Sequence, residues 1–404
     1  MPSKRKERKK RDAVWLFAGG PMQELMAKAV KARGFELIVT DMNPKCLCAG
    51  YANRIIPLDT FDITGNIAAA SVLRREYNIR AVVTAGADCH ETVATVAKFL
   101  KVHGLDPKIS HACRYKEVSR KILTEAGIPQ PRYRTVATLA DARIAAQEIG
   151  FPCALKATNN SGSRGFSKIN RLNDLNEEAF QSAVSSGTTG KVIIEELLVP
   201  VTREIAEQSV ETVWYNGEMY WLNWVDRLFR KDVELFPRVS KVFKKQKYWG
   251  IEIAHINPAL HSLETKDAVY EMLYRAGVAL GFHKTRGGHI LKADIMLTKK
   301  GPYIMEVTPR LSGGWDSAKT TPLRGADFIG GALSFALGEE LTVERFVRYF
   351  VYKNPSLFAS VFSLPNKERT DCIGRRFSCG ASFSREESLF LAHQNLSRKK
   401  YLPG

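Results

Sequence analysis

Along residues 13–110, short apolar runs alternate with stretches whose apolar residues recur every three or four positions. Val14-Trp-Leu-Phe17 reads as a buried strand, Ala18-Gly-Gly-Pro21 turns the chain, and residues 22–33 carry helical spacing that stops at Gly34. Glu36–Thr40 is a second strand ending at Asp41. Arg80–Thr84 is another, followed by Ala-Gly-Ala-Asp88 and a helix to about Val102. Strands alternating with helices predict a doubly wound parallel sheet, a Rossmann-like layer. The Gly19-Gly20 turn lacks GxGxxG spacing, so a structural α/β layer is the better reading than a dinucleotide site.

The pattern then changes. A block over 111–203 opens with a helix at Tyr115–Ala126, closed by Gly127 and kept from continuing by Pro129. Phe151–Lys156 and Val192–Glu196 read as strands around a Gly/Ser-rich turn. A third block, 204–338, alternates polar and apolar residues in strands that include Ile290–Leu297 and Tyr303–Thr308. Residues 339–404 read as a C-terminal extension, and no internal repeat is apparent. The expected class is α/β, with the parallel-sheet domain (13–110) ahead of two α+β units.

Composition narrows the function only slightly. Hydrophobic content of 45% and charged content of 25% suit a globular protein. No apolar run approaches the roughly 20 residues that span a bilayer, and no secretory signal opens the chain, so a cytoplasmic protein without membrane partners is expected. Seven scattered cysteines agree with a reducing compartment, and the lone Cys46–Cys48 pair has no second pair to complete a zinc site.

Charge is more telling. Sixty Lys and Arg against forty-two Asp and Glu leave +18, of which residues 1–12, with seven basic and two acidic side chains, supply +5. That tail reads as a solvated, disordered arm. The remaining +13 favours acidic partners: nucleotides, anionic substrates or nucleic acid.

Two constellations could carry chemistry. Lys156 ends a strand and is followed by Ser161-Gly162-Ser163-Arg164-Gly165. Small residues let backbone N–H groups approach polyphosphate while the lysine supplies a point charge, although a flexible hairpin has the same composition. The second is a hairpin of Asp294 with Glu306, Thr308 and Arg310, turned by Lys299-Lys-Gly301. Alternate residues share a strand face, so Glu306, Thr308 and Arg310 point one way if the strand runs that far. Two carboxylates with an oxygen neighbour suit Mg²⁺, and an arginine beside them could hold a phosphate.

Taken together, these pieces resemble the ATP-grasp superfamily, of the biotin carboxylase and carbamoyl phosphate synthetase-like carboxylate–amine ligase type, over most of the chain. Lys116 with Gly127-Ile-Pro-Gln-Pro131 looks like the family's opening helix. Phe151-Pro-Cys-Ala-Leu-Lys156 looks like its second ATP lysine, and Ile304-Met-Glu-Val-Thr-Pro-Arg310 like its metal and phosphate strand. The front layer and Arg375–Leu396 resemble the first and last segments of such proteins.

The resemblance implies a small lid subdomain at 111–203 and a large subdomain with the metal site at 204–338. It implies that Lys116 and Lys156 contact ATP under a lid bearing Ser161, Gly162, Ser163 and Gly165. Glu195, Glu196 and Leu198 would form the adenine hinge and Glu207 would hold the ribose. Asp294, Glu306 and Thr308 would bind Mg²⁺ or Mn²⁺, with Arg310 on the acyl phosphate. Thr308 departs from the family, which usually places Asn there.

The implied activity is phosphoryl transfer from ATP to a small-molecule carboxylate, then attack by an amine to form an amide. A homo-oligomer, most simply a dimer, is expected. Bicarbonate activation and action on an RNA-associated substrate remain alternatives. Trp214–Gly250, rich in Trp, Arg and Lys, reads either as acceptor recognition or as a basic hairpin packed by its aromatics.

Overall fold

The computed structural model describes residues 10–160, 164–201, 207–230, 251–313, 316–354, 356, 358–362 and 375–379. Strands β1 (Arg11–Phe17), β2 (Glu36–Thr40), β3 (Arg54–Ile56) and β4 (Tyr77–Val83) form a parallel sheet in the order β3-β2-β1-β4. Consecutive buried residues of β1 feed both faces. Val14 and Leu16 pack with the helix Glu24–Ala32, whereas Trp15 and Phe17 pack with the helices Ile63–Glu76 and His90–Leu100. That is the double winding expected of uninterrupted apolar strands. β1 already begins at Arg11, so the expected disordered arm gives way to strand two residues early.

The second sheet is small and antiparallel: β5 (Tyr133–Val136), β6 (Cys153–Ala157), β7 (Ser167–Ile169) and β8 (Val192–Glu196), in the order β5-β8-β6-β7. The helices Leu139–Ile149 and Glu177–Ser186 bury alanines and Phe180 against it.

The third sheet holds β9 (Glu207–Tyr215), β10 (Glu218–Arg230), β11 (Ile251–Asn257), β12 (Gly288–Thr298), β13 (Gly301–Thr308), β14 (Phe358–Phe362) and β15 (Arg375–Cys379). Its order is β13-β12-β9-β10-β11-β14-β15. β14 and β15 come from the expected C-terminal extension. β14 pairs onto β11 and β15 onto β14, so both extend the large sheet.

One face of this sheet packs on the helix Leu263–Leu280 through Val210, Trp214, Trp224, Leu291, Ala293 and Ile295. Gly277 of that helix leaves the space Trp214 fills, since a Cβ there would lie 2.0 Å from Trp214 Cζ2. The buried Trp214 and Trp224 are therefore core residues, which answers for them the open question about the aromatic segment; residues 231–250 of that segment lie outside the described residues.

The opposite face is polar. Ladder pairing places Glu207, Ser209 and Glu211 of β9 beside Asn223 and Arg227 of β10, and Lys292 and Asp294 of β12 opposite Thr308 and Glu306 of β13. The parallel sheet is fixed to this body by a shared core in which Val14, Leu16 and Met26 meet Val213, Ile290, Phe328 and Leu333.

Candidate functional site

The polar face of the large sheet looks across at the small sheet, and the helix Lys116–Glu125 spans the two. Lys116 Nζ donates to Glu306 Oε1 of β13 at 3.0 Å and to the carbonyl of Asn160, beyond β6, at 2.6 Å. One turn further along the same helix face, Arg120 is 2% exposed. Its Nε donates to Glu195 Oε1 of β8 at 2.7 Å, and its Nη atoms donate to the carbonyls of Ile304 and Met305 at 3.0 and 2.7 Å. The other Glu195 oxygen accepts from Lys156 Nζ at 2.7 Å. Burial alone would push the Glu195 carboxyl up; Arg120 and Lys156 outweigh it and hold the group at about 2.

The facing wall is the β12–β13 ladder. Asp294 and Glu306 are direct cross-strand partners. Lys292 Nζ lies 2.6 Å and Arg227 Nη1 3.1 Å from the same Asp294 oxygen. Burial raises the Asp294 carboxyl, but Arg227 and Lys292 bring it below the ordinary range. Burial draws the Lys292 ammonium down, against the pull of Asp294.

Beyond β13 the chain turns toward the parallel sheet. Arg310 Nε and Nη2 donate to Asp88 Oδ1 at 2.8 and 2.6 Å, and Asp88 follows β4 at the carboxyl end of its strand, where open α/β sheets bind ligands. The loop is anchored from below. Buried Glu211 accepts from the Ser312 amide, from Asn223 Nδ2 at 3.0 Å and from Ser317 Oγ at 3.3 Å. Asp316 and His255, both fully buried, lie 2.9 Å apart.

The structure thus brings together Lys116, Lys156, Glu195, Asp294, Glu306 and Thr308. Gly165 is left-handed (φ +72°) and packs on Ser186; Ser161, Gly162 and Ser163 lie outside the described residues. Glu196 ends β8 beside Arg132, 3.3 Å away, and Leu198 is buried. The connection then reaches β12, where the Val201 amide donates to the Leu297 carbonyl at 2.9 Å. Glu207 opens β9 with its carboxylate 3.8 Å from Arg227. β13 ends at Thr308 and Pro309 has no N–H to continue a ladder, so the condition for a shared strand face is not met at Arg310, which reaches Asp88.

The sequence does not single out Arg120 or Lys292, and Arg227 enters only as one of the basic residues of Trp214–Gly250. The spacing of Arg120 four residues after Lys116 was its one signal.

Residues 121–247 match the sequence model of the ATP-grasp domain. Over that segment the chain is similar to ATP-grasp proteins. It is 27% identical to the uncharacterised protein y4rH of Sinorhizobium fredii over 289 residues, covering 71% of this chain and 55% of that protein. It is 26% identical to the alanine–anticapsin ligase of Bacillus amyloliquefaciens, covering 55% of this chain and 46% of that one. The chain spans about half the length of these curated relatives. Among solved structures, the L-amino acid ligase from Bacillus licheniformis shares the fold with a TM-score of 0.67 and 20% identity, covering 88% of this chain and 80% of that one.

A cleft lies between the small and large sheets, bordered by Lys116, Lys156, Asp294 and Glu306. Its donors fit a hard divalent cation. Asp294, Glu306 and Thr308 offer only oxygen, and Lys116 beside Glu306 shows that this carboxylate already balances a positive charge. Among the described residues no helix is long and apolar enough to cross a membrane.

Proposed function

We propose that this protein is an ATP- and Mg²⁺-dependent carboxylate–amine ligase that activates a small-molecule carboxylate as an acyl phosphate and releases ADP and phosphate as the amide forms. The observation that carries the reading is the convergence of Lys116, Lys156 and the Asp294–Glu306 pair on one cleft within an ATP-grasp fold. Lys156 and Lys116 would hold the polyphosphate as point charges. Glu195, Glu196 and Leu198 would border the adenine, under a lid that includes Ser161–Gly165, and Glu207 would meet the ribose.

Asp294, Glu306 and Thr308 would hold Mg²⁺ or Mn²⁺, which when bound neutralises charge on the phosphates. Arg310 would take the transferred phosphoryl group or the substrate carboxylate, exchanging its contact with Asp88 for the substrate anion. Catalysis in this scheme is positioning and charge neutralisation. Amide formation is supported by the resemblance to an alanine–anticapsin ligase. A cytoplasmic homodimer acting on small molecules is the setting we assign.

The test is ADP release from the full chain against a panel of carboxylates, bicarbonate among them, with and without amines. Lys156→Ala and Glu306→Ala should each abolish amine-dependent ADP formation while circular dichroism stays native. Near wild-type turnover in either folded variant removes that residue's assignment, and ADP formation with bicarbonate alone would move the reading to carboxyphosphate chemistry.

A further inference from the structure

Paired carboxylates facing a polyphosphate can hold one divalent cation or two between them, and their surroundings decide which. The two members of this pair are not equivalent. Among the described residues Glu306 has one cationic partner, Lys116, which comes from a separate helix and has a second acceptor in the Asn160 carbonyl. The Glu306 side chain is also 28% exposed.

Asp294 is enclosed. One of its oxygens has Lys292 Nζ at 2.6 Å and Arg227 Nη1 at 3.1 Å, and its side chain is 11% exposed. Lys292 stands two residues before Asp294 on β12, so both project from the same face. Its side chain, 3% exposed, sits between Glu211 on β9 and Thr308 on β13, its two ladder partners. An ammonium placed there cannot swing into water as a surface lysine would.

A divalent ion on the Asp294 side would have to share that carboxylate with two fixed cations. Its only further ligand from β13 would be the Thr308 hydroxyl, which is neutral and short. The two features are coupled in space, because Lys292 and Thr308 are direct cross-strand partners.

Resting on the ATP-ligase reading above, we propose that Lys292 is a built-in cation standing where a second divalent ion would bind beside Asp294, so that Asp294, Glu306 and Thr308 hold one metal ion between them and not two. Lys292 then acts as a positioning residue. It fixes Asp294 and contributes one unit of positive charge to the phosphate side of the cleft, whatever the free metal concentration. The consequence for Mg²⁺ dependence is one titration step rather than two.

Mn²⁺ binding to the full chain, measured by electron paramagnetic resonance with a saturating non-hydrolysable ATP analogue, tests this without turnover. One protein-bound Mn²⁺ per chain is expected for wild type and two for Lys292→Met, which keeps an unbranched side chain one atom shorter and removes the charge. Two Mn²⁺ in wild type overturn the proposal and leave the ATP-ligase reading standing. No nucleotide-dependent Mn²⁺ in wild type overturns both. One Mn²⁺ in both proteins overturns the role of Lys292. Lys292→Gln serves if the Met variant does not fold, and the wild-type count can refute the proposal without any variant.

Discussion

Replacing Glu195 with Gln isolates the buried junction that joins the two sheets. Glu195 is fully buried and holds Arg120 at 2.7 Å and Lys156 at 2.7 Å. A carboxyl held at about 2 instead of its ordinary 4.5 corresponds to about 3 kcal/mol of folded-state stabilisation at neutral pH. A second route agrees: breaking a buried ion pair by removing one member costs about 3–5 kcal/mol. Lys156, 18% exposed, can recover some hydration, which favours the lower end. Glu195→Gln should therefore lose about 3 kcal/mol in urea unfolding at pH 7.

The sign of the pH dependence follows from the depressed carboxyl. Its contribution is complete above the unfolded value of about 4.5 and lost as pH falls through the folded value of about 2. The gap between wild type and variant should then shrink to roughly half near pH 3. The variant should also need more ATP for half-saturation, because Lys156 loses the partner that aims it. A loss below about 1 kcal/mol at pH 7, or a gap that widens in acid, would refute the argument.

Three further outcomes are expected. Gly277→Ala should lower stability by about 1–2 kcal/mol in calorimetry, since overpacking against Trp214 outweighs the helix propensity gained; an unchanged melting temperature would contradict the packing. Thr308→Val keeps the branched shape and removes the hydroxyl. It should give a folded, slower enzyme needing more Mg²⁺, and unchanged Mg²⁺ dependence would show that Thr308 is not a ligand. Asp88→Asn should weaken the hold on Arg310 and lower the apparent KM for the carboxylate, and a raised KM would instead place Asp88 among the substrate contacts.

What could be read from the sequence follows local rules. β1, β2, β8, β12 and β13 are short apolar or alternating runs, and the opposition of Asp294 and Glu306 follows from a tight hairpin with a recognisable turn. Residues that act across long separations were hidden. Arg120 bonds carbonyls 184 and 185 residues away, and nothing local separates it from an ordinary helix-surface arginine. Lys292 occupies a polar position of an alternating strand and would pass for a solvated lysine, but this polar face lines a cleft. β14 was missed because its partner, β11, lies about a hundred residues earlier in the chain. Whether Arg310 shares the face of Glu306 and Thr308 depends on where β13 ends, and the strand stops at Thr308.

The central claim is that a carboxylate is activated by phosphorylation before the amine attacks. Once the panel yields a substrate pair, the carboxylic acid can be labelled with ¹⁸O in both oxygens and the released phosphate analysed by mass spectrometry. An acyl phosphate breaks with its bridging oxygen leaving on phosphorus, so one ¹⁸O per turnover should appear in phosphate and one should remain in the amide. Phosphate free of ¹⁸O, with amide formed at the same rate, would contradict the account.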